Sequence, residues 1–178
     1  MRRIQMRKIG LSLLILAGVS SLAMATPPTN NPPSDAAINY QGFILLSEEV
    51  YKYRQDRLVS KRKFLEMAKD SGTIILDTRS KEAYDMGHIK GAVHLNFSDL
   101  TEDKLAKVIG SKDTRILIYC NNNFTDNVRP FAKKSIELAL NVPTFINLYG
   151  YGYENVYELK DAVSMRDPQM QIVATIPR

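Results

Sequence analysis

Two short runs, Thr73-Ile74-Ile75-Leu76-Asp77 and Arg115-Ile116-Leu117-Ile118-Tyr119 with Cys120 at its end, constrain the fold of this chain most. Each is apolar without the alternation of a half-buried strand and too short for a helix. Strands of that kind are buried on both faces, as in a parallel sheet covered by helices on two sides. A third run, Thr144-Phe145-Ile146-Asn147-Leu148, reads as a further strand. Helical stretches separate them. Ser47-Glu48-Glu49 is a capped start running towards Arg57, and Ser60 caps a basic-faced helix with Phe64, Leu65 and Ala68 on one side. Others cover Glu102 to Ile109 and end near Leu140. The alternation predicts an α/β fold: a doubly wound parallel sheet flanked by helices, one domain over residues 38–178.

The first residues address compartment rather than fold. Arg2, Arg3, Arg7 and Lys8 precede an apolar run from Ile9 to about Val19 and then Ala23-Met24-Ala25, the order of a secretory signal peptide over residues 1–25. The apolar stretch is short of the roughly 20 residues of a spanning helix. A periplasmic or secreted protein is expected, with no membrane attachment after cleavage. Residues 26–37 are rich in proline and small polar residues and read as a disordered tether. Loss of residues 1–25 leaves 153 of 178 residues, with 20 Lys and Arg against 19 Asp and Glu. That near-neutral balance argues against a nucleic-acid partner. The length suits one ordinary domain.

One cysteine cannot form an internal disulfide, so in an oxidising compartment Cys120 must be buried or used. In an open α/β sheet the functional crevice lies at the carboxyl ends of the strands, where Cys120 sits. The loop Asn121 to Asn127 follows it, and a helix with Pro130 in its first turn is expected next. The dipole of that helix and the loop amides would favour thiolate, and Asn side chains would add neutral donors. A buried structural cysteine is the plain alternative. With one Cys and two His, His88 and His94, neither a metal site nor a cofactor is expected.

Ile75-Leu76-Asp77-Thr78-Arg79, Glu82, Tyr84 and Gly87-His88-Ile89-Lys90-Gly91-Ala92-Val93-His94-Leu95 resemble, in order and spacing, the signatures of the rhodanese-like domain of sulfurtransferases. The resemblance spans roughly Ile44 to Leu159. It implies a sulfurtransferase in which Cys120 takes a sulfane sulfur from a small donor and passes it to a thiol or other nucleophile. Backbone amides of Asn121, Asn122, Asn123, Phe124, Thr125 and Asp126 would hold the persulfide. Asp77 and Arg79 would hold the loop, and His88 would be scaffold. The family also has a glycine-containing turn after the next strand, where Tyr149-Gly150-Tyr151-Gly152 lies, so that Gly150 and Gly152 would approach the cysteine. The loop departs from the family's usual Cys-x-x-Gly-x-Arg-Ser. Asn123, Thr125 and Asp126 stand where Gly, Arg and Ser are usual, which leaves Arg129 as the expected substitute cation. A phosphatase would need arginine where Asp126 stands. The rival reading is a non-catalytic module that docks a protein partner.

Overall fold

The structure is a computed structural model that describes residues 37–175. The expected signal peptide, the expected tether up to Ala36, and Ile176 to Arg178 lie outside the described residues. Helix α1 (Tyr40–Tyr53) begins where the Asn39 side-chain oxygen accepts the Gly42 N–H at 2.8 Å. That is about two turns before Ser47. The Ser47 hydroxyl instead donates to the Phe43 carbonyl at 2.6 Å, the usual way a mid-helix serine satisfies itself. A 3-10 turn (Arg54–Arg57) leads into β1 (Leu58–Val59). Ser60 caps α2 (Lys61–Met67), accepting from the Lys63 N–H. Then come β2 (Thr73–Asp77), α3 (Lys81–Met86), β3 (His88–Ile89), β4 (Ala92–His94), α4 (Glu102–Ile109) and β5 (Arg115–Tyr119). The chain continues through α5 (Asn141–Gly150), β6 (Val156–Leu159) and β7 (Ile172–Val173).

The main sheet is fully parallel in the order β1-β6-β5-β2-β4, and β3 and β7 form a separate antiparallel ribbon. The continuous apolar runs are explained by two cores, one on each face. Leu76, Ile116 and Ile118 pack with Phe145 and Leu148, whereas Ile75, Leu117 and Tyr119 pack with Phe64, Phe124 and Phe131. No helix among the described residues is long and apolar enough to cross a membrane.

The segment Thr144–Leu148 is not a strand but the middle of α5, and the fifth strand is β6 further on. Its buried residues Asn141, Thr144, Phe145 and Leu148 follow helical spacing, and Pro143 sits in the first turn, where the missing N–H costs nothing. A short apolar run has no preferred period until its neighbours are counted. The glycine turn is displaced with it. Gly150 and Gly152 lie at the carboxyl end of α5, whose amino end faces Cys120, so they do not approach the cysteine.

Candidate active site

Cys120 closes the central strand β5 and is 1% exposed. The backbone N–H groups of Asn141, Asn122 and Asn123 are set around its Sγ and favour negative charge there. The latter two belong to a 3-10 turn (Asn121–Asn123), and Asn141 opens α5, whose first amides have no partner inside the helix. No helix begins at Pro130. The helix end that meets the sulfur is that of α5, brought there by the crossover.

A buried polar chain fixes these donors. Asn123 Oδ1 accepts the Cys120 N–H at 2.9 Å and the Asn141 Nδ2 at 3.1 Å, while Asn123 Nδ2 donates to the Leu159 carbonyl at 2.7 Å. Asn141 Nδ2 also donates to Glu158 Oε1 at 3.2 Å. Arg54 grips the Glu158 carboxylate through two nitrogens at 2.5 and 2.7 Å. Asn141, Glu158 and Arg54 were missed by sequence reasoning. The available signal was a carboxylate inside the otherwise apolar run Val156 to Leu159.

Burial pushes the Cys120 thiol above its ordinary pKa, and the Glu158 charge adds to the rise; the three amides pull the other way without prevailing. Burial therefore favours the thiol, against the thiolate expected from the sequence. Accordingly, alkylation of the native protein by iodoacetamide should climb about tenfold per pH unit through neutrality, with no plateau below the ordinary thiol range. A plateau near pH 7 in a rate-versus-pH series would contradict this.

The asparagine side chains next to Cys120 do not point donors at the sulfur. Asn121 Nδ2 donates to the Ala132 carbonyl at 2.8 Å. Asn122 donates to the Lys134 carbonyl at 2.8 Å and accepts the Lys134 N–H at 3.1 Å. Asn127 accepts the Lys133 N–H at 2.9 Å. Together they stitch residues 127–135 down as a strap beside the cysteine. Phe124 is buried, stacked on Phe131 of the strap with ring centroids 3.6 Å apart. The Thr125 N–H donates to the Val163 carbonyl, and Asp126 accepts from the Ser164 hydroxyl and the Met165 N–H. Arg129 is exposed, 3.6 Å from Glu82. The cradle therefore consists of Asn122, Asn123 and Asn141 rather than the run from Asn121 to Asp126, because the chain leaves the sulfur after one 3-10 turn to bury Phe124.

Asp77 and Arg79 pair with each other in the interior, through Nε at 2.9 Å and Nη2 at 2.6 Å, with 0% and 2% of their side chains exposed. The Tyr119 hydroxyl also donates to Asp77. Burial opposes the Arg79 charge, but the bonds and charge of Asp77 outweigh it and raise its pKa further. Arg79 donates onward to the carbonyls of Gly87 and Pro130, and its guanidinium lies 4.5 Å from the Phe131 ring centroid. His88 is buried, stacked on Tyr84 and bonded to its carbonyl. Among the described residues no group of three or more His, Cys, Asp or Glu is placed to hold a metal ion.

An α/β domain whose lone cysteine closes the central strand of a parallel sheet inside a ring of loop and helix amides is a loop-cysteine domain. The Rhodanese-like domain profile matches residues 60–164, and the chain belongs to that family. Two tRNA uridine(34) hydroxylases, from Streptococcus sanguinis and Streptococcus suis, are each 35% identical over 68 residues, 35% of this chain. The match covers 20% of each of them, so this chain matches about a fifth of the length of those curated relatives. The crystal structure of the BH2092 protein from Bacillus halodurans is similar in fold, with a TM-score of 0.50 at 19% identity, covering 72% of this chain and 85% of that one.

Proposed function

We propose that this rhodanese-like domain carries sulfane sulfur as a persulfide on Cys120, in a periplasmic or secreted protein. The observation that supports this reading best is the convergence of three backbone amides on one sulfur. A neutral thiol needs no such ring, whereas a sulfur bearing negative charge is stabilised by it. With thiosulfate as donor, the thiolate fraction of Cys120 attacks the outer sulfur. A new S–S bond forms, the donor's S–S bond breaks, and sulfite leaves with the electron pair. An acceptor thiolate then attacks the terminal sulfur of the persulfide, and Cys120 departs as thiolate.

The burial of Cys120 at 1% exposure favours a second reading, a module that docks a protein partner without turnover. Intact-mass spectrometry of the exported protein, after exposure to thiosulfate, polysulfide or mercaptopyruvate, separates the two. Sulfur carriage gives a gain of about 32 Da, one sulfur atom, on a chain beginning at Thr26, and none in Cys120→Ser. No adduct with any donor favours docking alone. We do not propose the tRNA hydroxylation named for the streptococcal relatives, because the near balance of 20 basic and 19 acidic residues after residue 25 offers no cationic excess for RNA.

A further inference from the structure

A cavity of about 790 Å³ lies away from Cys120, between α2 and the ribbon of β3 and β7. Thr73, which opens β2, is on its wall, whereas Cys120 lies past the end of the neighbouring β5, roughly 16 Å further along the sheet. Stretches that the sulfur site leaves unused meet here. The basic-faced α2 contributes Arg62 and Leu65, and the turn that closes it contributes Ala68 and Lys69. On the other side stand Ile89 of β3 and Met170, from the 3-10 turn (Pro168–Met170) that leads into β7. Lys90 follows β3, and its backbone N–H donates to the Gln171 carbonyl at 3.0 Å, which closes that end of the ribbon.

The lining has two characters. Its floor is hydrocarbon: Ile75, Ile89 and Met170 belong to the core, while Leu65 and Ala68 are only half-buried and offer uncovered apolar surface. Its rim is cationic. Arg62, Lys69 and Lys90 are exposed and take part in none of the ion pairs among the described residues. Glu66 is the one carboxylate on the lining, and Lys63 Nζ holds it at 3.2 Å. The volume falls inside the range of ligand pockets, which are mostly apolar with a few polar groups that fix orientation. An apolar floor beneath a cationic rim is complementary to a molecule with a hydrocarbon body and an anionic head. An inorganic anion would leave the floor uncovered, and a neutral or cationic chain would leave the rim unanswered. Walls on two sides suit one molecule entering a recess rather than a flat bilayer surface. We propose that this cavity binds a single-chain amphipathic anion, an alkyl carboxylate of the fatty-acid kind, with its body on the floor and its head among Arg62, Lys69 and Lys90. The site is separate from the persulfide chemistry and does not rest on it.

The test titrates the full chain with decanoate, below the range in which it self-associates, followed by calorimetry and by amide correlation spectra in NMR. Decanoate should saturate a single site and shift the amides of Ile89, Lys90 and Gln171. Decyltrimethylammonium, with the same chain and a cationic head, should bind about tenfold more weakly or worse. Octanoate, shorter by two methylenes, should also bind about tenfold more weakly than decanoate, because the missing carbons no longer cover the floor. Arg62→Ser with Lys90→Ser should weaken decanoate about fivefold, the order for two partly solvated charges. Lys107→Ser, on α4 over the opposite core, should leave the affinity unchanged. All three positions are exposed, so the variants should keep the parent unfolding midpoint. Equal affinity for the two decyl probes, an unchanged affinity in the double variant, or no saturable decanoate site overturns the assignment. Binding to phosphatidylglycerol vesicles without binding to free decanoate also overturns it, and gives the cationic rim to a membrane surface instead.

Discussion

Arg79→Ala lowers the unfolding free energy by about 3–5 kcal/mol, because it strands a carboxylate in the interior. Asp77 is 0% exposed and would keep only the Tyr119 hydroxyl and the Arg79 N–H for a charge now held by a guanidinium. The same change frees the Pro130 carbonyl and removes the cation over Phe131, so the strap loses an anchor as well. Urea denaturation followed by circular dichroism measures the loss. A domain of this size has about 5–15 kcal/mol in all, so the shift in midpoint is large. Replacing both partners, Asp77→Leu with Arg79→Met, should cost less than either single change, since no charge is then left unpaired. A loss under about 1 kcal/mol in Arg79→Ala would mean that water reaches the carboxylate.

Phe131→Ala is expected to cost a similar amount, about 3–5 kcal/mol, through the void left under the strap. The ring is 0% exposed, stacked on Phe124 and capped by Arg79. It is the strap's deepest anchor, whereas the Asn121 and Asn122 bonds hold its rim. Loosening it should also expose the sulfur. Iodoacetamide should then react with Cys120 faster at fixed pH under fully native conditions, whereas Phe131→Leu, which keeps most of the volume, should change neither quantity by half as much. A reduced midpoint with unchanged alkylation would show that the strap does not control access to Cys120. Because Arg79 touches the ring, the two alanine substitutions should not be additive, and a double-mutant cycle measures the coupling.

The parts of the fold readable in the sequence are those that depend on neighbours along the chain. The apolar runs of β2 and β5, the Ser60 cap and the α4 stretch match the observed elements. The place of Cys120 at the end of β5 follows from the same local pattern. The misread strand has a physical cause. A few apolar residues such as Thr144 to Leu148 fit a strand or a buried helix equally well, and the choice falls to packing: Phe145 and Leu148 fill the face opposite α2, and the strand position beside β5 goes to β6.

Residue order was enough to establish a two-faced parallel sheet with a lone cysteine at a strand's carboxyl end, since burial pattern and strand termination are properties of contiguous residues. What surrounds that cysteine came from the folded chain alone. The Asn141 amide and the Glu158 carboxylate are far from Cys120 in sequence and come near it only after the crossovers close, with the Arg54 guanidinium holding Glu158 from behind. The balance between amides that favour charge on the sulfur and burial that opposes it depends on directions and distances across those crossovers, which no local pattern encodes.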